Sequence, residues 1–363
     1  METLLYSVAI VLIFGAVIFF HEAGHFLIAK LGRIRVDEFA LGLGPVLASF
    51  KKGETQYSLR AVPVGGMVRV AGMEGEEKVR DGFNSRPLGV RVGVIAAGPV
   101  MNVVLAAIIF CLIYTVFGKP IAVTPVIAKV GRGMPAAVAG MRPGDKLISV
   151  NGVTSKDLGK LREQIVRNPG RSIAAVVERD GRQLRLHVVP ERKRVVEQEA
   201  EYSGGKLVRV RTVKRWIGQV GIIFKEKRQH LSLRESVKTG MEDTWDYLRA
   251  VGESLLLVFR GKAEVEVSGP VGIVSMMYER ATVSWLSFLH FAGIFNIMVA
   301  FFNLLPFPAL DGSRIAFLGV EAIRGRPIDP RKEAIVHTVG MVLLLLLVLL
   351  VTVSDIWKKW GPQ

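Results

Sequence analysis

His21-Glu22-Ala23-Gly24-His25 places two histidines four positions apart, with a carboxylate beside the first. On a helix, residues four apart share a face, so His21 and His25 can offer two nitrogens to one zinc ion. Glu22 then stands where it can take a proton from a metal-bound water, whose pKa zinc lowers towards neutrality. The competing reading is a pair of histidines hydrogen-bonded inside a helical bundle. A catalytic zinc normally holds three protein ligands and keeps a fourth position for water. Asp311 is available as the third, in Asn303-Leu304-Leu305-Pro306-Phe307-Pro308-Ala309-Leu310-Asp311-Gly312. There an apolar stretch is broken by two prolines and a carboxylate follows. The same aspartate could equally cap a new helix, and spacing leaves both readings open.

The elements that must carry these groups are apolar. A helix needs about 20 apolar residues to cross a bilayer core, and four stretches qualify: Leu4 to Ala29, Val92 to Phe117, Trp285 to Leu305 and Ile335 to Val353. The histidine motif lies inside the first. Ionisable residues within a span are costly and mark a functional site by default. Broken backbone at membrane depth, as around Pro306 and Pro308, is tolerated where it lines a protein cavity. The first stretch is too long for a secretory signal and has no Lys or Arg before it and no small-residue cleavage site. Lys30, Arg33, Arg35, Lys51 and Lys52 follow it, which predicts an outside N-terminus and a cytoplasmic loop over 30–91. Four spans return the C-terminus to the outside, against the pull of Lys358 and Lys359, and make 119–284 extracytoplasmic. At about 1.5 Å per residue, His21 lies roughly 25 Å along from Leu4, towards the cytoplasmic side.

Composition agrees. Of 363 residues, 50% are hydrophobic and 22% charged, which excludes disorder, collagen-like repeats and a small disulfide scaffold. Cys111 is the sole cysteine; it excludes an internal disulfide and sits in an apolar run as a small hydrophobe. The net charge of +16 suits nucleic acid or anionic lipid. No helix-turn-helix, zinc-finger or RNP pattern stands out, so lipid is expected and nucleic acid is not.

The fold class expected is a polytopic α-helical membrane protein of about four transmembrane helices, with a small cytoplasmic-side β-rich loop and an inserted extracytoplasmic α/β domain. The divisions are 1–35, 36–91 (β-rich), 92–118, 119–190 (the α/β domain), 191–284 (connector and amphipathic helix), 285–312, 313–334 (cytoplasmic loop) and 335–363. In the β-rich part, short strands are expected at Val36 to Leu41, Gln56 to Val62 and Met67 to Val70, punctuated by Gly65 and Gly66. Glu191 to about Arg215 reads as a polar connector. Met241, Trp245, Leu248, Val251 and Leu255 recur at helical spacing, as for an amphipathic helix packed on neighbouring protein.

His21 to His25 in the first span, Gly98-Pro99-Val100-Met101-Asn102 in the second and Leu310-Asp311-Gly312 after the third resemble the motifs of the site-2 protease family of intramembrane zinc metalloproteases. Gly140-Met141-Arg142-Pro143-Gly144-Asp145 and Val150-Asn151-Gly152 resemble a PDZ domain. The combination is most similar to the bacterial branch that cleaves anti-sigma factors. The resemblance implies one zinc ion per chain on His21, His25 and Asp311, with Glu22 as catalytic base. It implies substrate binding by Asn303 and by a membrane-associated β-loop around Gly65 and Gly66, whose exposed edge could pair with an unwound substrate. Asn102 is expected to serve helix packing as interhelical polar glue. The implied activity is hydrolysis of peptide bonds within transmembrane segments of single-span proteins already trimmed outside, such as anti-sigma factors or signal-peptide remnants, in the bacterial cytoplasmic membrane. Two rivals remain: a non-catalytic PDZ scaffold in the membrane, and an ion-coupled transporter using the intramembrane His and Asp. Both leave unexplained why Glu22 stands between two ligand-spaced histidines.

Overall fold

The computed structural model describes residues 2–73, 79–203, 206–262, 268–326 and 328–360. The expected divisions 1–35, 36–91, 191–284, 313–334 and 335–363 each include one or more positions outside these. The chain forms two compact units. One comprises Met1–Val116, Ser232–Glu253 and Glu266–Gln363; the other comprises Phe117–Leu231 and Ser254–Val265.

The first unit begins with α1 (Glu2–Leu31), whose apolar residues surround the histidine motif. β1 (Val36–Lys52) and β2 (Thr55–Val70) follow. These are two long strands, not the three short ones expected: β1 runs on to Lys52, Gly53 turns the chain with φ +64°, and Gln56 to Val62 and Met67 to Val70 fall together in β2. β2 meets β1 twice: Phe39 is registered with both Tyr57 and Val68. The start of β1 therefore lies between two segments of β2. The far part of the hairpin exposes Leu43, Val46, Leu47, Phe50, Leu59 and Val62, an apolar surface that a water-facing hairpin would not carry. Then comes α2 (Leu88–Phe117), which exposes Val100, Val104, Ile108, Leu112 and Val116 at intervals of four.

The second unit is built of strands. β3 (Lys119–Val130), α3 (Pro135–Val138), β4 (Lys146–Val150), β5 (Val153–Thr154), α4 (Leu158–Val166), β6 (Ile173–Arg179) and β7 (Arg182–Val188) are followed by β8 (Glu191–Ser203), β9 (Lys206–Gln219) and β10 (Ile222–Gln229). The sheet runs β10-β3-β4-β6-β7 with β5 on β4, and β8 and β9 form a separate hairpin. Alternate inward residues of the strands, with Leu161 of α4, make its core around Ile127, Leu147, Ile173 and Val177. Two expectations are corrected here. Residues 191–215 are not a polar connector: their alternation supports an antiparallel hairpin. The unit does not end at 190, since β10 returns to pair with β3. Asp145 is almost wholly buried, at 1% exposure. Its carboxylate takes bonds from Arg179 Nε (2.7 Å), Arg179 Nη2 (2.8 Å) and the Arg142 N–H (2.8 Å). The Arg179 guanidinium holds that carboxyl below the usual range.

The remainder is helical: α5 (Leu233–Phe259), α6 (Pro270–Val283), α7 (Trp285–Leu304), α8 (Asp311–Arg324) and α9 (Pro330–Trp360). Leu248 and Val251 of α5 pack with Phe110 and Ile297, as its periodicity predicts, whereas Met241 and Trp245 stay exposed. The expected loop 313–334 is mostly α8. α8 is clamped to α2 by a bidentate ion pair between Arg91 and Glu321. Asp355 near the end of α9 accepts the Gly269 and Gly272 N–H groups that open α6, where such donors have no helical partner. Four helices, over Thr3–Leu31, Leu88–Phe117, Trp285–Leu304 and Arg331–Trp357, have the length and composition to cross a membrane.

Candidate functional site

The two histidines of α1 point at one spot. His21 Nε2 and His25 Nε2 are 3.2 Å apart. Asp311, the first residue of α8, brings its Oδ2 to 3.1 Å from His21 Nε2 and 3.4 Å from His25 Nε2. Asp311 thus opens a helix, as the capping reading allows, but its carboxylate is aimed at the imidazoles and Leu310 occupies the cap position. Asp311 Oδ2 is buried and receives no hydrogen bond. A tetrahedral ion with ligand bonds of about 2.0 Å separates its ligand atoms by about 3.3 Å. The triangle of two nitrogens and one oxygen matches one face of such a tetrahedron, so the residues fit zinc.

α2 supports this triangle from behind with three residues four apart. The Val94 carbonyl lies 2.8 Å from His25 Nδ1; it can only accept, so Nδ1 carries the proton and Nε2 keeps its lone pair. Gly98 leaves space: a Cβ there would lie 2.4 Å from His25 Nε2 and 2.8 Å from His21 Cε1. Asn102, fully buried, places its amide against His21, with Nδ2 3.3 Å from Nδ1. Its Oδ1 lacks a hydrogen-bond partner. With the amide turned over, Oδ1 accepts the His21 Nδ1 proton, which serves both groups. Helix packing, expected of Asn102, is therefore joined by direct contact with His21. Gly24 between the histidines lets α1 and α2 touch, since a Cβ there would lie 2.2 Å from the Ala97 carbonyl.

His21, Glu22, His25, Gly66, Asn303 and Asp311 line one cavity of about 330 Å³. Glu22 is outside the converging triangle, and it shares the cavity lining with Val68 of β2. Gly66 fits against it, because a Cβ there would lie 2.7 Å from Glu22 Cγ. Gly65 is not among the lining residues; its φ of +93° turns the chain beside Leu43. Among the described residues, 66–70 is registered with β1 alone, which leaves its other edge towards the cavity. Three participants were not expected from the sequence. Arg314, one turn beyond Asp311, adds a cation to the lining. Ala309 adopts φ +76° and donates its N–H to His337 Nδ1 of α9 at 3.3 Å. Gly340 of α9 approaches Pro308 so closely that a Cβ would lie 2.0 Å from the proline Cβ. No local spacing announces these contacts; on α2 the motif holding Gly98 and Asn102 was legible, and Val94, four residues before Gly98, was not.

The profile of "Peptidase family M50" matches residues 9–347. The regulator of sigma-W protease RasP of Bacillus subtilis is 31% identical over 433 residues, covering 97% of this chain and 98% of that protein. The zinc metalloprotease RasP of Geobacillus kaustophilus is 30% identical over 437 residues, covering 98% of this chain and 99% of that protein.

Proposed function

The chain belongs to peptidase family M50, and on that premise we propose that it hydrolyses peptide bonds within the transmembrane segments of single-span proteins already shortened outside the membrane. It is an integral membrane zinc metalloprotease. Anti-sigma factors are the substrates that the name of the B. subtilis relative suggests. The observation that carries the reading is the convergence of His21 Nε2, His25 Nε2 and Asp311 Oδ2 at 3.1 to 3.4 Å, beside Glu22.

His21, His25 and Asp311 would hold the zinc ion. When bound, zinc polarises the scissile carbonyl and acidifies water. Glu22 would take the proton of the attacking water and pass it to the leaving amine. Val94 and Asn102 would keep both imidazoles in the tautomer that leaves Nε2 free. A helical substrate hides its peptide groups in its own hydrogen bonds, and the edge of 66–70 would receive an unwound segment by strand addition. Asn303 lies in the same lining and would hold substrate backbone. The apolar hairpin surface from Leu43 to Val62 suits contact with lipid or with the substrate span.

We assign the second unit to a PDZ-like module outside the cytoplasmic membrane. Its antiparallel sheet and two helices support this, together with the lysine and arginine cluster that follows α1. The test is cleavage of a tagged single-span substrate with a short outer segment. Wild type is expected to give product, and Glu22→Gln to lower the rate about a thousandfold while retaining zinc. Equal product from both would overturn the role of Glu22.

A further inference from the structure

The second unit carries most of the chain's net positive charge. Residues 117–231 hold 24 of the 48 Lys and Arg but only 10 of the 32 Asp and Glu. The β8–β9 hairpin shows how this charge is sorted. Its register is unbroken from Glu191↔Gln219 to Glu201↔Arg209, so residues alternate strictly between two faces. All four acids, Glu191, Glu197, Glu199 and Glu201, fall at odd positions of β8. Two of them stand opposite arginines, Glu199↔Arg211 and Glu201↔Arg209. The even positions carry no acid. They bring Arg192 and Arg194 of β8 together with Lys214 and Trp216 of β9, and Arg194 is the direct partner of Trp216. All four side chains are exposed, Trp216 at 56%. The base of this face is covered: a Cβ at Gly218 would lie 2.2 Å from the Ile165 carbonyl of α4. Beyond that point it is free among the described residues.

We propose that the even face of the hairpin docks on an anionic phospholipid surface. The register places the acids of β8 at odd positions and gathers three cations around an indole at the even positions. Acidic headgroups complement the three cations, and an indole prefers the depth where headgroups meet acyl chains. This protein is integral to a membrane, so such a surface is always at hand. An acidic peptide would complement the charge but does not call for an exposed tryptophan between the cations.

The test uses full-length protein in nanodiscs of phosphatidylcholine alone or with about a third phosphatidylglycerol. Trp216 is read as the difference in emission between wild type and Trp216→Phe. In phosphatidylglycerol discs the difference signal is expected to shift to the blue and to be quenched by brominated lipid. High salt should reverse this. Arg192→Gln, Arg194→Gln and Lys214→Gln should each weaken it about fivefold. Arg192→Lys with Arg194→Lys should preserve it, which separates charge from fold. Equal quenching in both disc types, or quenching that survives the triple glutamine variant, would overturn the proposal. So would a Trp216 response to an acidic peptide in discs that show no lipid effect.

Discussion

Two aspartates, one in each unit, meet opposite surroundings: Asp145 is buried, and Asp311 is part-buried with its Oδ2 enclosed. Asp145 is ringed by donors: a guanidinium and a main-chain N–H fill both its oxygens. Asp311 faces two imidazoles across 3.1 and 3.4 Å, one of which, His25, keeps its proton on the far nitrogen. Asp145 is complete as it stands and serves the fold. Asp311 completes a set of acceptors crowded without protons, which repel one another unless a cation joins them. What separates the two carboxylates is the count of donors aimed at each.

The sharpest break of this comparison is an exchange of losses. Asp311→Ala is expected to abolish both zinc retention and cleavage, read by metal analysis and by the single-span substrate assay. Asp145→Ala is expected to keep zinc and to lower the unfolding temperature of the second unit by about 5 °C, through loss of charge-assisted hydrogen bonds. If Asp145→Ala lost zinc and Asp311→Ala kept it, the assignments would be reversed.

Gly98→Ala comes next, since its methyl would lie 2.4 Å from His25 Nε2. Zinc retention and activity should fall together. Gly66→Ala instead pushes on Glu22, so cleavage should fall with zinc content unchanged. Asn102→Ala should weaken zinc affinity about 10- to 100-fold, the usual effect of removing a hydrogen-bond partner of a ligand. Competition with a graded chelator measures it. Asn102→Asp, which retains an acceptor, should recover part of the loss.

The smallest effect concerns pH. Asp145 has a folded pKa below its ordinary value of about 3.9, so its contribution is fully present above that value and is lost as pH falls through the depressed folded value. The difference in unfolding temperature between wild type and Asp145→Asn should therefore be constant near neutrality and shrink below about pH 4. A difference that grew on acidification would mean that Arg179 does not hold the ionised form.

Much of the helical unit was legible in the sequence because its signals are local. Span length and apolar content place four helices, and the four-residue interval of His21 and His25 needs only the helical pitch. The strands were harder. Val36 to Leu41 reads as a strand, but one long hairpin bending back on itself looks in sequence like three short strands, because pairing is not written in either partner. The β8–β9 hairpin looked like a charged connector for the same reason: polar alternation suits a solvated strand and a coil alike.

Sequence by itself determined that this is a membrane protein with a helical His-Glu-x-x-His motif and one carboxylate candidate downstream. It also determined the family, since those motifs recur in order. The tertiary structure brought the Asp311 carboxylate to both imidazoles, which depends on where α8 begins relative to α1. It brought Asn102 to His21 and emptied the space at Gly98, consequences of how closely α1 and α2 approach. It set Gly66 against Glu22 and moved Gly65 out of the lining. In each case the deciding quantity is a distance between segments far apart in the chain, and periodicity within a segment carries no information about it.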